Sequence, residues 1–278
     1  MQTELKADRA DYIKLVVRRL YDAQKLRIQS DLRLQRLVRD EIVLKEDIER
    51  TFAKATELEG QIEREYEKIV WREIKDLPII TEWLVKVKGI GPRLGGLLIA
   101  NILDIGRFAN VSKLYAYAGL HVIDGHAVKR AKGATANWNS ELKTTCWKIA
   151  NSFVKQKDSR FREWYEQYKA RIISREVAKG NVIWKGDESK REIAFAPKAL
   201  QADPPKAPKL PEWTLGRIHN MALRYIVKMF LSLLWQKWRE LEGLPVGSVY
   251  IEGKPRDPND PRRGVHETMI QPGEVVDD

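Results

Sequence analysis

Between Tyr12 and Ile74 no proline interrupts the chain and Gly60 is the single glycine, while apolar residues recur at helical spacings, at Ile48, Phe52, Leu58, Ile62, Tyr66 and Ile69. That spacing gathers them on one face of a helix. Mixed charges stand between them, among them Glu63, Arg64, Glu65, Glu67 and Lys68, which solvate the other faces and allow pairing one turn apart. Unbroken, about 60 residues rising about 1.5 Å each would reach on the order of 90 Å, longer than a compact domain. The segment must therefore fold back as a helical hairpin or pair with a second copy as a dimeric coiled coil.

Asp76, Leu77 and Pro78 end that pattern and start another helix carrying Ile80, Trp83, Leu84 and Val87. Short helices and glycine turns then alternate to about Gly180. Two β-like runs, Val182–Trp184 and Ile193–Phe195, flank a polar turn and read as a hairpin. Prolines 197, 204, 205, 208 and 211 follow and exclude helix through that stretch. From Trp213 to Leu241 a final helix is apolar on too many sides to stand exposed, so it must pack on the core. The pattern predicts a mainly α protein: a long N-terminal helical coil (1–76), a central core of short helices (77–180), a hairpin and Pro-rich linker (181–212), a packed C-terminal helix (213–246) and a tail (247–278).

Charge changes the picture. The chain of 278 residues carries a net charge of +11, and the excess is local. Residues 1–76 hold 17 basic against 17 acidic side chains, whereas residues 86–160 hold 13 against 4. A basic surface on one module is the electrostatic footprint of a nucleic-acid binder, because neutralising phosphates releases counterions. The first ten residues include Glu4, Lys6, Asp8 and Arg9, which does not suit a secretory signal, and the longest charge-free run of the C-terminal helix, Met229–Gln236, is too short to span a bilayer. One cysteine, Cys146, excludes an internal disulfide and suits a reducing compartment. A cytoplasmic protein without membrane attachment is expected.

The most specific local signal is LVKVKGIGPRLGGLLIANI, residues 84–102. Apolar residues close one helix, Gly89-Ile90-Gly91 make the turn, and Pro92 sits in the first turn of the next helix, a helix-hairpin-helix pattern. The glycines permit positive φ and leave room for backbone N–H groups to approach a phosphate, Ile90 anchors the turn, and Pro92 suits a position that needs no N–H partner. Lys86, Lys88 and Arg93 bracket the turn and add charge-assisted contacts to the same strand. Farther on, HAVKRAKG (126–133) is a basic loop in which His126, Lys129, Arg130 and Lys132 are candidates for clamping phosphates. Trp138 could stack on a base. Such a site reads backbone rather than bases. His121, His219 and His266 lie far apart and show no ligand spacing, so neither metal nor cofactor is expected.

From Leu84 through the Ala118-Gly119-Leu120 turn, and more loosely over residues 77–170, the chain resembles the C-terminal domain of the bridge-RNA-guided insertion-sequence transposases. The resemblance implies DNA binding, double-stranded or branched, with a guide RNA as a further partner. In that family the turn leads to a Ser-Gly pair whose serine is the nucleophile, then to a Leu-Arg helix. This chain has Asp124-Gly125 at the place of the Ser-Gly pair and ANWNSELK (136–143) where the turn and Leu-Arg helix fall, so the nucleophile is missing from its position. Thr135, Ser140 and Thr144 are nearby hydroxyls, with helix capping expected of Ser140. The family also carries a RuvC-like domain with four metal-binding carboxylates, whose place is taken here by the helical coil. Asp104 and Asp124 do not make a two-metal site. A DNA-binding protein related to transposases is expected, self-associating through its N-terminal helix. The alternatives are an active recombinase or nuclease whose catalytic site is unrecognised or supplied in trans, and a coiled-coil or guide-RNA scaffold.

Overall fold

The computed structural model describes residues 7–123, 126–130, 133, 135–186, 192–202 and 213–246. The tail from 247 and most of the Pro-rich run lie outside them. The fold is mainly helical, and its residues gather into two compact units, one comprising the chain up to Arg107 together with Lys237–Val246, the other running from Phe108 to Gln236.

In the first unit the N-terminal coil folds back on itself. Helices α1 (Ala7–Arg39) and α2 (Lys45–Ile74) are antiparallel: Gln24 and Arg27 both reach Glu63, and Ser30 donates to Glu59 at 2.8 Å. The fold-back supplies within one chain the partner that a straight coil would need from a second copy. No glycine marks the connection; instead Glu41 adopts φ +55°, and the Ile42 N–H bonds back to the Leu37 carbonyl. Buried apolar side chains concentrate at Ile13, Val16, Val17 and Leu20 on α1 and at Val70 and Ile74 on α2, whereas nearer the connection Ile48 is buried but Leu26, Leu32, Ile42 and Leu44 stay exposed.

What fills the buried end is α4 (Pro92–Ile102), whose residues from Gly95 onward are all buried and which packs against both α1 and α2. Its two glycines differ. A Cβ on Gly95 would lie 3.6 Å from the Ile74 and Ile80 methyls, an ordinary contact, but one on Gly96 would lie 2.5 Å from Val70 Cγ1 and 3.2 Å from Val17 Cγ2. Gly96 thus sets how closely α4 approaches the hairpin. Between α2 and α4 come α3 (Pro78–Glu82) and a single 3₁₀ turn, Leu84–Lys86.

The second unit holds α5 (Val111–Tyr117), α6 (Ser140–Lys155), α7 (Arg160–Ala178), the short α8 (Lys198–Gln201) and the part of α9 (Leu215–Leu241) up to Gln236. Contrary to the exclusion of helix that the prolines predict, α8 forms, because Pro197 is its N-cap and no further proline follows before Pro204. Its core is aromatic: Phe153 stacks on Phe161 at 4.2 Å and meets Phe230 of α9 edge-on. Trp235 donates its indole N–H to the Phe108 carbonyl at 2.7 Å. The C-terminal helix is buried as its composition requires, with Ile226, Phe230, Leu234 and Trp235 at 1% exposure or less. Among the described residues two antiparallel pairs of short strands complete the unit. Strands β1 (Val122–Ile123) and β2 (His126–Ala127) form a hairpin that the sequence pattern did not announce. Strands β3 (Ile183–Trp184) and β4 (Ile193–Phe195) are the two β-like runs, and Ile183 packs with Ile172 and Ile218. Among the described residues no helix is long and apolar enough to cross a membrane.

The two adjacent glycines yield opposite expectations. Gly96→Ala forces Val70 or α4 to move and should cost about 1–2 kcal/mol net of the helix-propensity gain, whereas Gly95→Ala meets only ordinary contacts and should be neutral or stabilising by up to about 1 kcal/mol. Urea denaturation of the two variants checks this; equal midpoints would remove the close approach from the account.

Candidate nucleic-acid interface

The turn before α4 is built from the sequence upward. Val87 is extended (φ −85°, ψ 105°) and ends the 3₁₀ turn. Gly89 takes φ +95°, a value only glycine adopts without strain. The Ile90 N–H then bonds to the Val87 carbonyl at 3.1 Å. Gly91 is the N-cap of α4, with Pro92 after it, and the Gly95 N–H returns to the Gly91 carbonyl at 2.9 Å. The two glycines therefore divide the work expected of both. Positive φ belongs to Gly89 alone, while Gly91 lies at φ −103° with nothing within 4 Å of an added Cβ. Gly91 is exposed and no side chain caps the helix, so its first-turn donors and positive dipole end face outward. Ile90 is only half-buried, a shallower anchor than expected.

The charged residues around this turn have different fates. Lys86 and Lys88 are exposed. Arg93 is tied to α2, making ion pairs with Glu63 and with Glu67, the latter at 2.7 Å. Glu63 is 3% exposed and also takes a hydrogen bond from Arg27 at 2.7 Å. Burial alone would raise the Glu63 pKa, but its hydrogen bonds and charge attraction to Arg27 and Arg93 outweigh this and lower it. One carboxylate thus joins α1, α2 and α4, and Arg93 holds the helix bearing the turn in place.

The second set of candidates lies in the other unit. Helix α5 ends in a left-handed glycine cap: Gly119 takes φ +63°, and the Leu120 N–H bonds to the Tyr115 carbonyl at 2.8 Å. The β1–β2 hairpin follows, and His126 lies in β2, its side chain outside the described residues, as are Asp124 and Lys132. Lys129 and Arg130 are exposed on the segment leaving β2. Trp138 is half-buried rather than free to stack, with the Lys143 ammonium 5.0 Å from its ring.

The cap of α6 is Asn139, whose side chain accepts from the Leu142 N–H at 2.9 Å; Ser140, expected to cap, is the first helical residue. Thr144 donates to the Ser140 carbonyl at 3.0 Å, and Asp104 accepts the Gly106 N–H at 2.6 Å. Cys146 is fully buried, and burial pushes its thiol up to about 12, so it is inert packing. Among the described residues no three His, Cys, Asp or Glu side chains come together so as to hold a metal ion, and these residues offer no seat for the divalent metal the transposase resemblance implies.

Sequence reasoning missed two clusters. One is the Arg27–Glu63–Arg93 tie, which joins residues far apart in the chain. The other surrounds the α5 cap, where Arg224 of α9 donates to the Leu120 and His121 carbonyls at 2.6 and 2.8 Å. A signal for the second was present: every ionised side chain of α9 before Glu240 is basic, and Arg224 and Lys228 sit one turn apart among Leu223, Tyr225, Ile226, Val227 and Met229.

With this geometry in place, comparison with known proteins finds one family. Residues 81–166 match the model of the transposase IS116/IS110/IS902 family. The match begins in α3, includes the Gly89 turn, the α5 cap and the basic loop, and ends in α7, so the likeness to that family lies in this part of the chain. No curated protein matches the chain significantly.

Because the folded-state pKa of Glu63 is depressed, its stabilising effect is complete above the ordinary value of 4.5 and is lost as pH falls through the folded value below it. Glu63→Gln should cost about 2 kcal/mol near neutrality, less than a fully buried pair since Arg27 and Arg93 keep about 30% of their surface in solvent. The gap between variant and wild type should hold above pH 5 and close below 4.5. Thermal melts across pH 3 to 7 check this, and a pH-independent gap would show that Glu63 acts through packing alone.

Proposed function

We propose that the chain binds DNA, double-stranded or branched, through its phosphate backbone and with little preference for sequence, as a DNA-binding relative of insertion-sequence transposases. The observation that carries this reading is that the transposase-family match coincides with the stretch holding the local basic excess. Within it, the Gly89 turn acts as a helix-hairpin-helix: a phosphate meets the uncapped N-terminus of α4 across the open face of Gly91, with Lys86 and Lys88 beside it. Arg93 holds α4 in position rather than meeting the phosphate. Lys129 and Arg130 supply a second group of contacts, joined by His126 and Lys132 of the same loop.

The reading is supported by which cations are left exposed. In the N-terminal hairpin many Lys and Arg side chains are paired with carboxylates one turn away or on the facing helix, as at Arg27, Arg36, Lys45, Arg50 and Lys68. Such neutralised surface does little for counterion release. In the stretch that matches the transposase family, Lys86, Lys88, Lys129 and Arg130 are exposed to a polyanion.

Fluorescence anisotropy with two unrelated duplexes over a range of salt tests this. The logarithm of affinity should fall with the logarithm of salt at about −0.9 per phosphate contact, with the two duplexes competing nearly equally. Reversing Lys129 and Arg130 should weaken binding and flatten that slope. Gly91→Val should leave the circular dichroism spectrum and melting temperature unchanged, because φ −103° suits any residue, yet weaken binding several-fold by filling the approach to the α4 amides. A flat salt response, or a preference beyond about a hundredfold for one duplex, would overturn backbone binding.

A further inference from the structure

Three cationic side chains of the second unit converge behind the α5 cap without a carboxylate among them. Lys143 of α6 donates its ammonium to the Val128 carbonyl at 2.7 Å and lies 5.0 Å from the centre of the Trp138 ring. Arg224 of α9 is fixed by the Leu120 and His121 carbonyls, both held by one terminal nitrogen of its guanidinium. One turn on, Lys228 lies 4.8 Å over the ring of Tyr115, whose hydroxyl donates to the Lys228 carbonyl at 2.8 Å. All three are half-buried, partly removed from water yet reachable from it.

Charges withdrawn from water are ordinarily paired, because removing an ion's hydration without an opposite charge is costly. Here the cost is visible. Burial, and then the positive charge of Arg224, lowers the pKa of Lys228 to about 8 and lowers that of Lys143 as well. Among the described residues no carboxylate forms an ion pair with any of the three. The surroundings are also short of acceptors. The Trp138 indole N–H is buried without an acceptor. Cations and an unmet N–H donor gathered at a rigid cap lack a single kind of group, an anion with several acceptor oxygens.

We propose that Lys143, Arg224 and Lys228 form an anion site at the α5 cap that takes a phosphate group. The guanidinium, held in one orientation by two backbone carbonyls, presents its remaining N–H groups to two oxygens, and the two ammonium groups approach from α6 and from the next turn of α9. Gly119 belongs to the site's frame. Its φ of +63° and its approach to Trp138, where a Cβ would lie 2.6 Å from the ring, hold the indole against the cap. The source of the phosphate is a nucleic-acid backbone if the DNA-binding reading above holds, and free phosphate otherwise; the site itself does not depend on that reading.

The full-length chain is melted with increasing inorganic phosphate, the ionic strength being held constant with potassium chloride, alongside Lys228→Met and Lys143→Met. Wild type should gain melting temperature with phosphate. Lys228→Met should melt no lower than wild type in chloride, since it removes a half-buried charge that has no ion pair, and should lose the phosphate-dependent gain. Lys143→Met should also lose that gain, which covers the case in which one variant fails to fold. A duplex titration of the same proteins separates the sources: weaker binding with a salt slope shallower by about 0.9 assigns the phosphate to the backbone, and unchanged duplex binding assigns it to free phosphate. Should wild type bind no duplex but still respond to phosphate, the DNA-binding reading fails and the site stands. The proposal is overturned if wild type responds no more to phosphate than to chloride, or if both variants respond as wild type does.

Discussion

Everything in the first unit depends on how closely α4 can approach the α1–α2 hairpin. The Cα of Gly96 faces Val70 and Val17 at a separation that leaves no room for a methyl group, and the buried run from Leu97 to Ile102 reaches the core only because of it. The same helix begins at Gly91. The packing that buries one end of α4 therefore determines where its exposed N-terminus, without a side-chain cap, is held. An 11-residue helix would not be stable alone in water; here it is ordered by burial and by the Arg93 pairs to Glu63 and Glu67.

Charge is distributed with a corresponding division of roles. In the N-terminal hairpin acidic and basic residues balance in number, and many of them pair one turn apart or across the two helices. In the stretch that matches the transposase family the basic residues outnumber the acidic ones and fall into three kinds. Arg93 is held in ion pairs and positions an element. Lys86, Lys88, Lys129 and Arg130 are exposed and cost the fold little. Lys143, and with it Arg224 and Lys228 of α9 beyond the matched residues, is half-buried with its pKa lowered by burial, an arrangement suited to receiving an anion.

Much of the fold was legible in the sequence because it rests on local rules. The helical period from Tyr12 to Ile74, the Pro78 and Pro92 helix starts, the apolar C-terminal helix and the β-like runs at 183–184 and 193–195 each follow from spacing or from one residue's backbone chemistry. The break between α1 and α2 was not legible, since neither glycine nor proline marks it and Glu41 accepts a left-handed conformation instead. Nor was the β1–β2 hairpin, two residues per strand, which is too short for alternation to register. In the candidate site the Gly89 turn was readable, but the division of labour between its glycines was not, and neither was the engagement of Arg93. Its partners are 26 and 30 positions away, and only the fold-back of the coil brings them to α4.

Lysine reactivity footprinting measures most directly whether the exposed cations of the stretch that matches the transposase family meet nucleic-acid phosphates. The chain is acetylated briefly with and without duplex DNA at low salt, and modification at each lysine is quantified by mass spectrometry. Lys86, Lys88 and Lys129 are expected to lose reactivity when DNA is present, while Lys45 and Lys54, exposed on the N-terminal hairpin, retain theirs. Protection of the hairpin lysines with Lys86, Lys88 and Lys129 left reactive would contradict it.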